Sequence, residues 1–313
     1  MRLFYASDVH GSDRCFRKFL NAGSFYGADA LVLGGDITGK AIVPLVERAP
    51  GELHATFLGT EHVLAGEEEA AALERRIADT GYYSHRCSPD EEEALRTDPE
   101  ALHALFVRRI VERMERWMEL ADERLELPCF VNAGNDDPPE VDAPIEAADR
   151  VTFLEGRVVR LPADVELASC GYANRTPWNC PRDVEESELA ERLQAVASQV
   201  EDPGWALFNF HCPPYDSQID QGPRLDEDFR LRQTAGGVET HAVGSTACRE
   251  VIERYQPLMG LHGHLHESRG TVKLGRTLCV NPGSEYTEGV LHGAVIDLHE
   301  RKRKVKNCVL TTG

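Results

Sequence analysis

The chain has 313 residues, 42% of them hydrophobic and 28% charged, so it can bury a large core and has the composition of a globular protein. Its net charge of −19 disfavours long nucleic acid as a partner, because proteins that neutralise many phosphates present a basic face. Nine cysteines without a CxxC pair indicate reduced thiols, which argues against a disulfide framework and against a cysteine zinc site.

The first fifty residues are predicted to form strand, loop, helix, strand and loop. Ser12 or Asp13 is expected to cap the helix, whose inner face carries Cys15, Phe16, Phe19 and Leu20. A strand begins at once, and no apolar run approaches the roughly 20 residues of a membrane span. We therefore expect no signal peptide, no membrane association and a cytoplasmic location.

The next segment differs in character. Residues 53–65 have the pattern of a small hairpin, and residues 66–127 are rich in Glu, Ala, Arg and Leu. We predict two helices over 66–127. The second is long, because apolar residues recur at helical spacing from Leu102 to Leu125, and Pro128 ends it. This helical insert is either a scaffold packed on the sheet or a lid over a site.

In the second half, short strands are expected over 151–170, a helix over Glu185–Gln199 and another helix capped by Ser245 or Thr246. The loop between them, 212–245, is long enough to suggest a function. Alternating residues from Thr271 to Leu310 predict strands, with the basic run 301–304 in a hairpin turn. Without repeats or a clear linker, we predict one domain over residues 1–313 with the insert at about 66–127.

Polar blocks follow five of the apolar runs that predict buried strands. Because binding crevices lie at the carboxyl ends of strands in open α/β sheets, we expect these blocks to meet. Their oxygen and imidazole groups suit a pair of divalent ions. The blocks are Asp8-Val9-His10, Gly34-Gly35-Asp36, Gly134-Asn135-Asp136-Asp137, His211, and Gly263-His264-Leu265-His266. The glycines at 34, 134 and 263 are expected to allow sharp turns.

These blocks resemble the pattern DxH, GD, GNH(D/E), H, GHxH of the calcineurin-like metallophosphoesterase superfamily, and especially its small bacterial and archaeal phosphodiesterase-like branch. Their order and separation match over roughly residues 3–285. The resemblance implies an α/β fold, a four-layer sandwich of two central β-sheets flanked by helices. It also implies a centre of two divalent ions, with manganese, iron and zinc as candidates.

The resemblance assigns a role to each ligand. Asp8, His10, Asp36 and His266 would hold the first ion, and Asp36, Asn135, His211 and His264 the second. Asp36 would bridge them, which is consistent with a carboxylate having two oxygens to span ions about 3.5–4 Å apart. A bridging hydroxide would then attack phosphorus.

The chain departs from the pattern at Asp136, which replaces the family's phosphate-contacting histidine and is the candidate catalytic residue at this position. An ionised aspartate would repel phosphate, whereas a protonated one could donate a hydrogen bond, and nearby cations favour the ionised form. The missing positive charge could come from one of four other residues, namely Arg175, Arg224, His241 and His262. The turn Asn281-Pro282-Gly283-Ser284 resembles one in small phosphodiesterases but receives no chemical role.

The implied function is a binuclear metal-dependent phosphohydrolase, a phosphodiesterase acting on small phosphate esters, with nucleotides among the candidates. Within enzymes the alternative is a phosphomonoesterase or protein phosphatase. From another class, a non-catalytic metal-binding interaction module of the same fold remains open because of Asp136. Turnover of an activated phosphodiester with added manganese would separate enzyme from module.

Overall fold

The structure is a computed structural model that describes residues 1–226, 230–234 and 236–313. Its helices are α1 (Asp13–Tyr26), α2 (Glu67–Asp79), α3 (Pro89–Thr97), α4 (Pro99–Arg124), α5 (Asp142–Glu146), α6 (Glu186–Ala197) and α7 (Thr246–Tyr255). Its strands are β1 (Arg2–Ala6), β2 (Ala30–Leu33), β3 (Ile42–Ala49), β4 (Glu52–Phe57), β5 (Thr60–Ala65), β6 (Tyr83–Cys87), β7 (Cys129–Val131), β8 (Val151–Phe153), β9 (Val158–Leu161), β10 (Val165–Cys170), β11 (Ala173–Asn174), β12 (Asp183–Val184), β13 (Ala206–Phe210), β14 (Gln221–Pro223), β15 (Gln233–Thr234), β16 (Gly237–Val238), β17 (Thr240–Ala242), β18 (Met259–Leu261), β19 (Gly270–Leu274), β20 (Thr277–Asn281), β21 (His292–His299) and β22 (Lys304–Thr312).

Two six-stranded sheets form the centre of the molecule, in the orders β22-β21-β1-β2-β7-β8 and β19-β20-β18-β13-β10-β9. The strands β1, β2, β7 and β8 run parallel in the first sheet, and β10, β13, β18 and β20 in the second. Parallel strands end at the same side of a sheet, so the loops that follow them are brought together.

Successive residues of the central strands face different hydrophobic layers. Leu3 and Tyr5 of β1 pack between the two sheets, whereas Phe4 and Ala6 pack against α1 and α4 on the outside. The second sheet is covered in the same way by α6 and α7. Burial on both faces explains why these strands have continuous apolar sequences. The predicted four-layer α/β sandwich of two sheets flanked by helices is confirmed.

The segment between β2 and β7 differs from the prediction. The hairpin predicted over 53–65 is present as β4 and β5, and α4 matches the predicted long helix. The prediction of two helices over 66–127 is wrong, because α2, β6, α3 and α4 occupy it. The strand β6 is stabilised by parallel pairing with β3, about forty residues earlier, and local periodicity does not report such pairing. The insert over 66–127 thus consists of three helices and the strand β6, which joins the preceding strands in a four-stranded sheet of order β5-β4-β3-β6.

Several helix starts follow the predicted capping chemistry. Ser12 accepts a hydrogen bond from the amide of Cys15, and Ser245 accepts one from the amide of Cys248. The basic run 301–304 lies at the turn between β21 and β22, where Arg303 has a left-handed backbone with φ 46°. No helix within the described ranges is long and apolar enough to cross a membrane.

Candidate metal centre

The loops that follow five central strands carry all seven predicted ligands. In chain order, β1 is followed by Asp8 and His10, β2 by Asp36, β7 by Asn135, β13 by His211, and β18 by His264 and His266. Side chains from both sheets meet in two groups whose ligand atoms lie within 4.8 Å of one another, namely Asp8, His10 and His266, and Asp36, His211 and His264. A third set at the same spacing, His10, Asp36 and Asp136, links the two groups.

Several of the predicted ligands have left-handed backbone conformations, which orient their side chains. The φ angles are 57° at Asp8, 39° at His10, 49° at Asp36 and 68° at His264. Such conformations cost on the order of 1–3 kcal/mol each in non-glycine residues and cluster at functional sites. Hydrogen bonds between the first two loops hold these backbone conformations. In one of them, the amide of His10 donates to the Asp36 carbonyl at 3.0 Å.

The first group consists of Asp8, His10 and His266. The Nε2 atoms of the two histidines lie 2.9 Å apart, and Asp8 Oδ1 lies 3.6 Å from the Nε2 atom of His266. The Asp8 carboxylate also accepts the backbone amide of His264 at 2.8 Å, which joins the first and last metal motifs. His10 and Asp8 are buried, whereas His266 is partly exposed at the surface of the group.

The second group consists of Asp36, His211 and His264, with Asn135 beside it. Asp36 Oδ1 lies 3.2 Å from His211 Nε2, and Asn135 Oδ1 lies 2.8 Å from His264 Nδ1. The amide of Asn135 is oriented from behind, because its Nδ2 atom donates to Asp183 Oδ1 at 2.9 Å. The amide oxygen of Asn135 therefore points into the group.

Asp36 lies between the two groups. Its Oδ1 atom faces His211, and its Oδ2 atom lies 3.6 Å from His10 Nε2. One carboxylate thus presents one oxygen to each group. The close approach of Gly134 makes this possible, since a Cβ atom there would lie 2.2 Å from Asp36 Oδ1.

The glycines of the motifs therefore act differently from the prediction. Gly134 and Gly263 are not among the residues with positive φ, so sharp left-handed turns are not the reason for glycine. Close packing is the reason, because a Cβ atom on Gly263 would lie 2.2 Å from Asp8 Oδ2.

The electrostatics of the groups fit a bound cation. Burial disfavours ionised Asp36, but the nearby His211 and His10 outweigh burial and hold the pKa of its carboxyl well below the ordinary value. Burial also disfavours the charged His211, yet Asp36 and Asp8 raise the pKa of its imidazole to about 10. Burial and the neighbouring His211 lower the pKa of His264 to about 4.

Buried polar atoms without hydrogen-bond partners also fit a bound cation in these groups. Within the described ranges, Asp8 Oδ2 and both ring nitrogens of His211 are buried and have no hydrogen-bond partner. Leaving such groups unpaired costs about 1–3 kcal/mol each. Divalent ions bound by carboxylate, amide and imidazole atoms would supply the missing partners.

Asp136 adjoins the first group and forms an ion pair that the sequence did not reveal. Its Oδ2 atom contacts Lys40 Nζ and lies 3.7 Å from His10 Nδ1. Burial lowers the pKa of Lys40, but the charges of Asp136 and Asp36 outweigh burial and raise it, so the ammonium stays charged. The ring of Tyr286 lies beside this pair and is tilted by 46° against the His10 ring, with the ring centroids 4.7 Å apart. Lys40 therefore offsets the charge of Asp136.

The four residues predicted to replace the missing charge lie elsewhere. His262 is buried behind His211, where Nδ1 contacts the Phe210 carbonyl at 2.7 Å, and burial lowers its pKa to about 4. The other three, Arg175, Arg224 and His241, line a cavity next to His264. None of the four contacts Asp136.

Two further carboxylates position the loops. Asp137 accepts the amides of Ile37 and Thr38, which follow the Asp36 motif, and of Gly134 in its own motif, at 2.7–3.0 Å. The position of Asp137 inside a metal motif is a sequence signal for a role at the site. Asp183, which orients Asn135, lies 48 residues from it in sequence and follows no motif.

The turn Asn281-Pro282-Gly283-Ser284 supports the last motif. Asn281 Nδ2 donates to the Leu265 carbonyl at 2.9 Å, and Ser284 Oγ donates to the Asp8 carbonyl at 2.6 Å. The turn therefore braces the loop that carries His264 and His266.

Comparison with known proteins shows which proteins this chain resembles. No protein-family model matches the chain. An uncharacterized protein of Methanocaldococcus jannaschii is 29% identical over 174 residues, which span 55% of this chain and 70% of that protein.

Solved structures resemble the whole chain. One crystal structure has a TM-score of 0.58 at 16% identity and covers 99% of this chain and 98% of its own. The protein TT1561 of Thermus thermophilus has a TM-score of 0.48 at 16% identity, covering 100% and 97%, and an archaeal phosphodiesterase has 0.40 at 10%, covering 99% and 100%. The first of these structures shares the overall fold of this chain, an α/β sandwich of two sheets. At these identities the likeness describes the fold and not the activity.

Proposed function

We propose that this chain is a metal-dependent phosphoesterase that holds two divalent ions and cleaves small phosphodiesters. The observation that carries the proposal is Asp36, whose two oxygens face His10 in one buried group and His211 in the other. A carboxylate with this placement suits a pair of ions that share one ligand.

The residues fall into two ligand sets. Asp8, His10 and His266 would hold one ion with Asp36, and Asn135, His211 and His264 would hold the other with the same carboxylate. Bound divalent ions would activate a water and neutralise charge on the phosphate. Because most of the ligand side chains are buried and Asp183 and Asp137 brace Asn135 and the neighbouring loops, the ligands are positioned before substrate arrives.

The pair of Lys40 and Asp136 supports an enzyme over a non-catalytic module. An unpaired carboxylate beside the first group would repel phosphate, but the Lys40 ammonium compensates its charge. Lys40 is 40% exposed and keeps further N–H donors, so it can also donate a hydrogen bond to a phosphate oxygen. The region beside Asp136 is thereby compatible with an anionic substrate.

The test is turnover by the manganese-loaded chain of bis-p-nitrophenyl phosphate, a diester, and p-nitrophenyl phosphate, a monoester. We expect the diester to react faster, and Asp36→Asn to abolish both activity and metal binding. Asp90→Asn is the matched control, because Asp90 is an exposed aspartate on α3. Faster turnover of the monoester would support the phosphomonoesterase alternative. Metal binding without any turnover would support the interaction module.

A further inference from the structure

A cavity of about 580 Å³ adjoins the candidate metal centre and shares His264 with it. Its lining comes from the segments 174–178 and 222–225 and from Arg232, His241 and Val243, beside His264 and Leu265. This volume lies within the range of about 300–1,000 Å³ that is typical of small-molecule sites. We call this cavity the arginine pocket, after the side chains of Arg175, Arg224 and Arg232 that line it.

The charge of the arginine pocket is opposite to that of the whole chain. Its lining includes three arginines and two histidines, and none of its described lining residues is an aspartate or glutamate, although the chain has a net charge of −19. Arg175 pairs with Glu185, and Arg224 Nε lies 3.3 Å from Glu239 Oε1. These arginines are 55% and 43% exposed, and such exposed pairs contribute little stability, so a ligand anion can replace the glutamates.

An exposed aromatic side chain lies beside the arginines of the pocket. The side chain of Trp178 is 67% exposed, which is unusual for a large aromatic residue, and it lines the pocket with the apolar Leu225 and Leu265. The loop that carries Trp178 is held in place, because Thr176 donates both its amide and its hydroxyl to Asp183. Flat aromatic ligands stack on such a surface.

Unpaired polar atoms complete the pocket. Among the described residues, Asn174 Oδ1 and His241 Nδ1 are buried without a hydrogen-bond partner, and both residues line the cavity. They can bind polar atoms at the edge of an aromatic heterocycle. The pocket thus combines a stacking surface, edge groups and cationic groups in one space.

We propose that the arginine pocket binds the organic group of the substrate, and that this group is a nucleotide, with an aromatic heterocycle and a negative charge of its own. This inference rests on the proposed function, because the pocket opens beside His264 of the candidate metal centre. A plain aryl group would leave the arginines unused, and a sugar phosphate would leave Trp178 exposed. The acidity of the rest of the chain disfavours a long polyanion.

The test is calorimetric titration of the full chain, loaded with manganese, in saturating inorganic phosphate that fills any phosphate site at the metal centre. The ligands are AMP, adenosine and ribose 5-phosphate, which separate the ring from the charge. We expect AMP to bind about ten-fold more tightly than either fragment, since charged hydrogen bonds and stacking each contribute about that factor.

Three pocket variants test which group of the ligand each side chain binds. Trp178→Ala should weaken AMP and adenosine about ten-fold without affecting ribose 5-phosphate, since stacking carries about that factor. Arg224→Ala and Arg232→Ala should weaken AMP and ribose 5-phosphate but not adenosine. Arg116→Ala, an exposed arginine on α4, should change nothing. Testing two of the three pocket arginines guards against local misfolding of one variant.

AMP that binds no more tightly than its fragments, or binding that ignores all three pocket variants, would overturn the inference. The two proposals fail separately. If diester turnover is absent while AMP binds with this pattern, the pocket stands and the phosphoesterase proposal falls. If turnover is present while the pocket variants leave AMP binding unchanged, the reverse holds.

Discussion

Replacing Gly134 by alanine tests how closely the loops of the candidate metal centre must approach. The added Cβ atom would lie 2.2 Å from Asp36 Oδ1 and 2.3 Å from the Asp36 backbone nitrogen. The backbone atom cannot rotate away, so the loops must separate by about 1 Å to restore an ordinary contact of about 3.5 Å. Overpacking of this kind typically costs about 1–3 kcal/mol, against a total stability of about 5–15 kcal/mol.

Gly134→Ala should therefore leave the protein folded but displace Asp36. A misplacement of about 1 Å can lower a rate about 10²-fold, and we expect at least that loss in kcat/KM for the diester. Metal content should fall with it, because Asp36 faces both groups. The assays are diester turnover, elemental analysis of bound manganese and thermal unfolding.

Gly204→Ala is the matched control, because its added Cβ atom would meet only the flexible ends of Asp202 and Arg276, at 3.1 and 3.9 Å. It should retain activity and metal. If Gly134→Ala keeps full metal content and more than half of the activity, then Asp36 does not have to lie where the structure places it. The shared-ligand reasoning would then be wrong.

Three other changes probe the same centre. Lys40→Met should lower kcat/KM about 5–30-fold with metal content unchanged, since a partly exposed charge contributes about 1–2 kcal/mol, and the loss should be smaller in an Asp136→Asn background, where only the contact with phosphate is lost. Asp183→Ala should weaken manganese binding about 10–100-fold by freeing the amide of Asn135, whereas Glu185→Ala should leave manganese affinity unchanged in calorimetry. Manganese at a hundred times its Kd should stabilise the chain by about 2.7 kcal/mol in thermal unfolding, and Asp36→Asn should remove that shift.

The sequence predicted the features that depend on local pattern. Apolar runs followed by polar blocks located the central strands, and Ser12 and Ser245 marked helix starts because capping uses residues two or three positions apart. The general geometry of parallel sheets predicts that ligands after strands of one sheet lie at one edge. Asp36 and His211 follow strands of different sheets, so their meeting was expected from the family resemblance.

Features that depend on distant contacts were missed. The strand β6 exists because it pairs with β3, and its own five residues carry no clear alternation. Lys40 contacts Asp136 across 96 residues, and a single lysine after a turn has no pattern that marks it. Arg175 and Arg224 were considered as charges for the metal centre, but the structure places them in the neighbouring cavity.

The pairing of Lys40 with Asp136 shows why a departure from a motif must be interpreted with its spatial neighbours. A histidine at position 136 would offer a donor and a positive charge from one side chain. In this chain the carboxylate contributes a negative charge, and an ammonium from another loop restores neutrality. The carboxylate also limits where the ammonium can lie, because Asp136 Oδ2 is 3.7 Å from His10 Nδ1 and holds Lys40 beside the first group. The donor and the positive charge that a histidine at position 136 would combine therefore come from Lys40 on another loop, which Asp136 holds in place.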